Sequence, residues 1–388
     1  MPKQHATLAP SAAERWIHCP GSIRLSDQVP SPESTSYADE GTVAHTIGQL
    51  KLEVASGEVP EKEYGDTLHA IVRSADGQYW CGEMDEATDY YRDQVLERLA
   101  AAGADATLLV EQRYSLEPWV PEGFGTSDAV IIGGSTIEVI DLKYGKGVKV
   151  EAAKNPQLRL YGLGAAMLFG DLYDLDTVRM TIIQPRLDHV SVEELPLAAL
   201  YAWAENVVKP AATAAMGENA PTACGDWCRW CPAKAVCRTR AEKQLELAAF
   251  EFQRPALLSS EEIADILGRA EALQQWVSDV EAYALQSALD GTTYAGWKLV
   301  EGRSVRKYAD DLKVAEVLKA AGYDEALLYE RKLLGLTAME KLVGKKKLAE
   351  TLGDLIVKPA GKPVLVPESD KRPPINTTEA AKSDFSNE

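Results

Sequence analysis

Between residues 125 and 143 the chain reads GTSDAVIIGGSTIEVIDLK, and no other stretch constrains its fold as tightly. Two apolar β-type runs flank Gly133-Gly134-Ser135, which predicts a hairpin. Symmetry about Gly134-Ser135 sets Asp128 directly across from Asp141, with Cβ atoms roughly 5 Å apart. Lys143 lies two residues beyond Asp141, so the strand period places it on the same face. Facing carboxylates repel unless positive charge stands between them. Mg²⁺ or Mn²⁺ with a lysine beside it meets that need, and phosphodiester hydrolysis needs the same set. An edge hairpin with solvated acidic ends meets it as well, and the hairpin alone does not decide between them.

The neighbouring residues add weight to the first reading. Asn155-Pro156 reads as a helix N-cap followed by proline at the first helical position. The helix it opens carries Gln157 and Tyr161 four apart, hence on one face, and its free N–H groups form an anion site. Glu111 lies in the strand-like run TLLVEQRY, the expected first strand of a sheet. Glu40-Gly-Thr-Val-Ala-His45 opens a helical pattern that continues to about Ser56. Singly each is weak: a lone histidine in a helix is more often structural, and Gln/Tyr pairs also cap and pack.

As an ordered series these residues resemble the RecB-like branch of the PD-(D/E)xK nucleases. That family runs from a GxxxH helix through a strand glutamate, G-x-x-D and D/E-x-K to a helix with Q-x-x-x-Y. The matching positions are His45, Glu111, Asp128, Asp141 with Lys143, and Gln157 with Tyr161, over roughly residues 8–240. Many members carry Glu where this chain has Asp141. The resemblance implies an α/β restriction-endonuclease-like core, a mixed sheet flanked by helices, with a mainly helical C-terminal extension. It implies catalysis by Asp128, Asp141, Lys143, Gln157 and Tyr161, with Mg²⁺ or Mn²⁺ held by His45, Asp128 and Asp141 and Glu111 as a further ligand.

The cysteines argue independently. Of six, Cys228, Cys231 and Cys237 form C-x2-C-x5-C in a chain without a secretory signal, a spacing that favours metal over disulfides. Three thiolates leave one position open on a tetrahedral zinc or a [4Fe–4S] cube. Cys224 is the local candidate for it, and Cys19 in Trp-Ile-His-Cys19-Pro-Gly the distant one. The pattern is similar to AddB-like and iron–sulfur CRISPR-adaptation nucleases, which implies Cys19 as fourth ligand and [4Fe–4S] as the cofactor. Structural zinc on the four local cysteines is the alternative. Cys81 has no partner in either scheme.

The chain has 388 residues, 46% of them hydrophobic, enough for two or three domains with real cores. No apolar run is long enough to span a bilayer, and the expected location is the cytoplasm of a bacterial host cell. Forty-one basic against 59 acidic residues give −18, which argues against broad coating of DNA. Charge is uneven, however. Lys143, Lys146, Lys149, Lys154 and Arg159 face one acid, Glu151, and residues 228–243 again hold five bases against one acid. Lys146, Lys149, Lys154 and Arg159 are the expected DNA contacts, although solvated loops read the same way.

Strands are expected near 106–114, 127–133, 136–142 and 177–184, with helices over 83–102 and 194–214 and an irregular segment over 1–35. Ser259-Ser-Glu-Glu262 is a capping box opening a helix with an amphipathic face, closed near Gly291. Residues 296–306 read as a strand pair. The expected domains are 1–245, the nuclease-like module with its cluster, then 246–357, mainly helical, and 358–388, a polar disordered tail. The whole arrangement resembles a phage- or prophage-encoded RecB-like family. It implies a DNA exonuclease acting on linear ends, working with a phage single-strand-binding or annealing protein and without a membrane. A nuclease-fold module that binds DNA or a partner without cutting is the alternative.

Overall fold

The computed structural model describes residues 6–30, 35–246, 259–300, 311–321, 328–329, 334–352 and 355–356. The chain divides into two compact units, Met1–Gln286 and Ser287–Glu388. At the centre of the first is one five-stranded sheet in sequence order. Its strands are β1 (Thr107–Ser115), β2 (Phe124–Gly133), β3 (Thr136–Leu142), β4 (Thr177–Gln184) and β5 (His189–Pro196). Neighbours are antiparallel except β3 and β4, which are parallel and therefore need a crossover. The fold is α/β, a mixed sheet flanked by helices, as expected.

The hairpin register follows from its turn. Gly133 pairs with Thr136, leaving Gly134-Ser135 as a two-residue loop, and Gly134 takes φ +58°, a left-handed conformation that costs glycine nothing. The β2–β3 ladder then runs to Ala129↔Ile140, one step short of the acidic pair.

Before the sheet come α1 (Ala13–His18), α2 (Ser22–Ser26), α3 (Ser36–Ser56), α4 (Glu61–Arg73) and α5 (Gly82–Ala102). The two short helices lie within residues expected to be irregular. Trp16 explains the difference, since its fully buried ring anchors α1 in the main core and its indole N–H donates to the Ala9 carbonyl. Helices α3 and α5 cover one face of the sheet, where Leu52, Tyr91 and Val95 pack on Ala129, Ile131, Ile140, Leu142 and Ile183. Lys51 of α3, buried, bonds the Asp85 carbonyl and the Asp85 and Asp89 carboxylates of α5 at 2.8–2.9 Å.

The crossover helix α6 (Pro156–Phe169) covers the other face. Asn155 caps it, its Oδ1 accepting from Leu158 N at 3.3 Å, as Asn-Pro predicted. Gly162 allows the close approach, because a Cβ there would meet Val178 Cγ2 at 2.8 Å. Helices α7 (Leu197–Trp203) and α8 (Lys209–Met216), joined by a π-helical turn at Ala204–Val208, complete this layer. The helix expected over 194–214 therefore starts later, and residues 189–196 form an edge strand. His-Val-Ser-Val-Glu-Glu-Leu-Pro alternates, yet only one of its sides meets the protein, so its apolar content is low.

After these come α9 (Arg238–Leu245) and the long α10 (Ser260–Leu289). The capping box is present: Ser259 N donates to Glu262 Oε2 at 2.7 Å, and Glu262 N to Ser259 Oγ at 3.2 Å. Gly291 follows at φ +100°. In the second unit the described helices are α11 (Asp311–Ala320), α12 (Leu336–Val343) and α13 (Lys345–Leu352). Residues 301–306 of the expected strand pair and the tail 358–388 lie outside the described residues. No helix among the described residues is long and apolar enough to cross a membrane.

Candidate active site

The site sits where the β2–β3 ladder stops. Asp128 takes over the next ladder position with its side chain, Oδ2 accepting from Leu142 N at 2.6 Å. Its other oxygen, Oδ1, meets His45 Nδ1 of α3 at 3.2 Å. Asp141, buried, forms an ion pair from Oδ2 to Lys143 Nζ at 2.8 Å, and its Oδ1 accepts from Gln157 Nε2 at 3.2 Å. Gln157 also accepts from Lys143 Nζ at 3.1 Å and donates to the Tyr161 hydroxyl at 3.1 Å. Thus two bonded groups stand side by side: His45 with Asp128, and Asp141 with Lys143, Gln157 and Tyr161, the Leu142 amide bringing the first up to the second.

Glu111 joins it from β1. Pairs Val110↔Ala129 and Gln112↔Ser127 bracket it opposite Asp128, and its φ of +50° is a strained left-handed conformation for a glutamate. Three carboxylates thus stand level across β1, β2 and β3. Crowding shows in their proton affinities. Partial desolvation, then the neighbouring Asp128 charge, raise Glu111 to about 7. Burial pushes Asp141 above the ordinary carboxylate range, more than Lys143 offsets, while His45 and the Leu142 amide hold Asp128 below it despite burial. Burial works against a charged His45, but Asp128 outweighs it and raises the ring to about 9. His45 thus stands against Asp128, one of the carboxylates with which the sequence implied it would share a metal.

Among the described residues no group of three or more His, Cys, Asp or Glu side chains stands in metal-holding geometry. The donor set nevertheless suits Mg²⁺ or Mn²⁺, which take one or two carboxylates and keep several waters. Asp141 Oδ2 is buried, and Lys143 Nζ stands 2.8 Å from it, the lysine beside a carboxylate that this chemistry calls for.

One polar group at the site gave no sequence signal. Tyr91 of α5 is buried, its hydroxyl has no partner, and burial, then Asp128 and Asp141, raise its pKa. In sequence it is one more apolar position on a helix.

The basic residues divide. Lys146 and Lys149 are exposed on the segment after Lys143, and Lys146 stands 3.9 Å from Glu83. Lys154 is exposed too, at φ +60°. Arg159 is committed elsewhere: it grips Glu193 of β5 with both arms, at 2.6 and 2.9 Å, and is only 14% exposed. The expected phosphate contact would therefore share this arginine with a carboxylate already bound to it.

The cysteine-bearing segment folds back on the chain's beginning. Gly21 N donates to the Pro221 carbonyl at 2.8 Å, His18 stacks on Trp227 at 4.6 Å, and Ala223 N points to Cys19 Sγ at 3.3 Å. Burial raises the Cys19 thiol, and Cys228 and Cys231 are near enough to raise it further. Cys224 neighbours Cys228, which burial raises to about 11, and Gly225 N reaches Cys228 Sγ at 3.5 Å. Cys237 caps α9. All six cysteines are free thiols, and Cys81 is exposed at the start of α5.

Comparison with solved structures finds a chain described as "Crystal structure of SSO0001". It is 15% identical, the match covers 58% of this chain and 96% of that one, and the TM-score of 0.21 is too low to carry an argument. The profile of the family described as "Protein of unknown function (DUF2800)" matches residues 5–373, and the chain belongs to that family.

Proposed function

We propose that this protein is a metal-dependent DNA nuclease of the RecB-like PD-(D/E)xK kind, hydrolysing phosphodiester bonds from linear ends. The observation that carries the reading is the network joining Asp141, Lys143, Gln157 and Tyr161 between β3 and α6, with Asp128 of β2 fixed beside it by the Leu142 amide. Sequence order alone does not require these side chains to meet. Asp128 and Asp141, with Glu111 beside them, would hold Mg²⁺ or Mn²⁺, whose charge supplies Lewis-acid assistance to hydrolysis.

The chain's own groups do the rest. Lys143 places a fixed positive charge beside Asp141, where the phosphate's negative charge builds in the transition state. Gln157 orients Lys143 and Asp141 together, and Tyr161 holds Gln157. His45 and the Leu142 amide fix the Asp128 carboxylate. Lys146 and Lys149 offer exposed charge to a phosphate backbone. Contacts of this kind meet phosphates rather than base edges, so on this reading cleavage is indifferent to sequence.

The cofactor of this reading is a [4Fe–4S] cluster on Cys19, Cys228, Cys231 and Cys237; the nearness of Cys228 and Cys231 to the buried Cys19 supports the first three, and Cys237 comes from the sequence spacing. Such a cluster would cross-link the chain's beginning to the end of the sheet domain. Zinc on Cys224, Cys228, Cys231 and Cys237 is the alternative, favoured by the closeness of Cys224 to Cys228.

Linear and covalently closed circular DNA, each incubated with and without Mg²⁺ or Mn²⁺, test the reading. Linear DNA should be degraded only with the metal, and circles should survive. Discrete fragments from circles would reject an exonuclease, and intact DNA in every arm would favour a binding module.

A further inference from the structure

Between β3 and α6 the chain crosses the surface as a strap, residues 148–154, with no regular structure of its own. Its backbone is nevertheless bonded at every second residue. Gln184 of β4, buried, donates to the Val148 carbonyl at 3.1 Å and accepts from Val150 N at 2.7 Å. Alternate residues of β5 continue the series. His189 Nε2 reaches the Val150 carbonyl at 3.2 Å, Ser191 Oγ accepts from Ala152 N at 2.9 Å, and Glu193 Oε1 accepts from Lys154 N at 3.0 Å. The two segments advance in step, residue 150 with 189, 152 with 191 and 154 with 193. Side chains of the edge strand thus do for the strap what a backbone ladder does for a strand. Glu193 also grips Arg159 in the first turn of α6, so the series continues into the helix that carries Gln157.

From this geometry we propose that β5 is a positioning element: His189, Ser191 and Glu193, with Gln184, hold the strap and the first turn of α6 so that Gln157 meets Asp141 and Lys143. The catalytic consequence rests on the nuclease reading above, while the mechanical claim does not. These are positioning residues, since none touches the carboxylate site. Cutting the series should free the strap and the α6 N-terminus while the hairpin, held by its own ladder, stays closed.

Hydrogen–deuterium exchange of the full chain, read peptide by peptide, tests this on the Ser191→Ala/Glu193→Ala double variant. Exchange over 148–161 should accelerate by about tenfold or more while β2 and β3 keep their protection, which also shows that the variant is folded. Glu193→Gln keeps an acceptor for Lys154 N and should retain most of the protection at the strap. On linear DNA with Mg²⁺ the double variant should lose roughly tenfold in kcat, as supporting-shell changes do, with little change in KM, and Glu193→Gln should recover part of it. Unchanged exchange over 148–161 would overturn the proposal, as would faster exchange with undiminished kcat. A wild-type protein that cuts no DNA would remove the nuclease reading, and exchange at 155–161 would still decide whether β5 positions Gln157.

Discussion

Asp128 and Asp141 are the same residue in opposite circumstances. Asp128 lies between the His45 ring and a backbone amide, and burial does not prevent its carboxylate from staying below the ordinary range. Asp141 is pushed up by burial, with Lys143 as the cation bonded to it. Lys143 therefore has two effects, stabilising a charged Asp141 and leaving positive charge at the site. Lys143→Ala should lower cleavage of linear DNA by roughly 10²–10³-fold, the usual loss when a fixed transition-state partner is removed. Gln157→Ala, which frees Lys143 without removing it, should cost roughly 10–100-fold. Steady-state turnover with saturating Mg²⁺ checks both, and equal losses would contradict the division of labour between them.

At the scale of elements, α10 is fastened by a buried ion cluster. Asp279 accepts from Arg240 at 2.6 Å and pairs with Lys234 at 2.9 Å, both from the cysteine-bearing region. Burial alone would raise Asp279, but these two cations hold it below the ordinary carboxylate range. Its stabilising contribution is therefore full above the unfolded carboxylate pKa, about 4, and fades as pH falls through the lowered native value. Acid unfolding followed by circular dichroism should be shallower in Asp279→Asn than in wild type, and identical slopes would contradict this. Arg240→Ala should cost about 1–3 kcal/mol at neutral pH by urea unfolding, less than a stranded buried charge, because Lys234 remains. The elements also show what a sequence exposes. The hairpin and the α6 start were legible because Gly134-Ser135 and Asn155-Pro156 dictate local stereochemistry. The order of site residues was legible because the strand period and the helical i, i+4 spacing place them. Strand β5 was not, because Ser191 and Glu193 earn their places through a strap about 40 residues earlier in the chain. Nor were Tyr91 or the Arg159–Glu193 pair, which depend on contacts between distant segments.

For the whole molecule, the joining of residues 18–24 to 218–228 makes the cysteine region the clasp of the first unit. Protein purified anaerobically should be yellow-brown, and Cys19→Ser should both bleach it and lower its melting temperature. Colourless protein with one zinc per chain, lost on Cys224→Ser, would instead establish the local site. On the nuclease reading, a net charge of −18 leaves DNA to the exposed Lys146, Lys149 and Lys154, so activity on linear DNA should fall steeply with salt. Central to the proposed function is the claim that Asp128 and Asp141 form a metal-dependent hydrolytic centre. The most direct test follows release of nucleotides from end-labelled linear DNA by wild type and by Asp141→Ala, purified identically and titrated with Mg²⁺ and Mn²⁺. Metal-dependent release by wild type, with none from a folded Asp141→Ala at any metal concentration, is the predicted result. Undiminished release by Asp141→Ala, or release by wild type that ignores the metal, would contradict it.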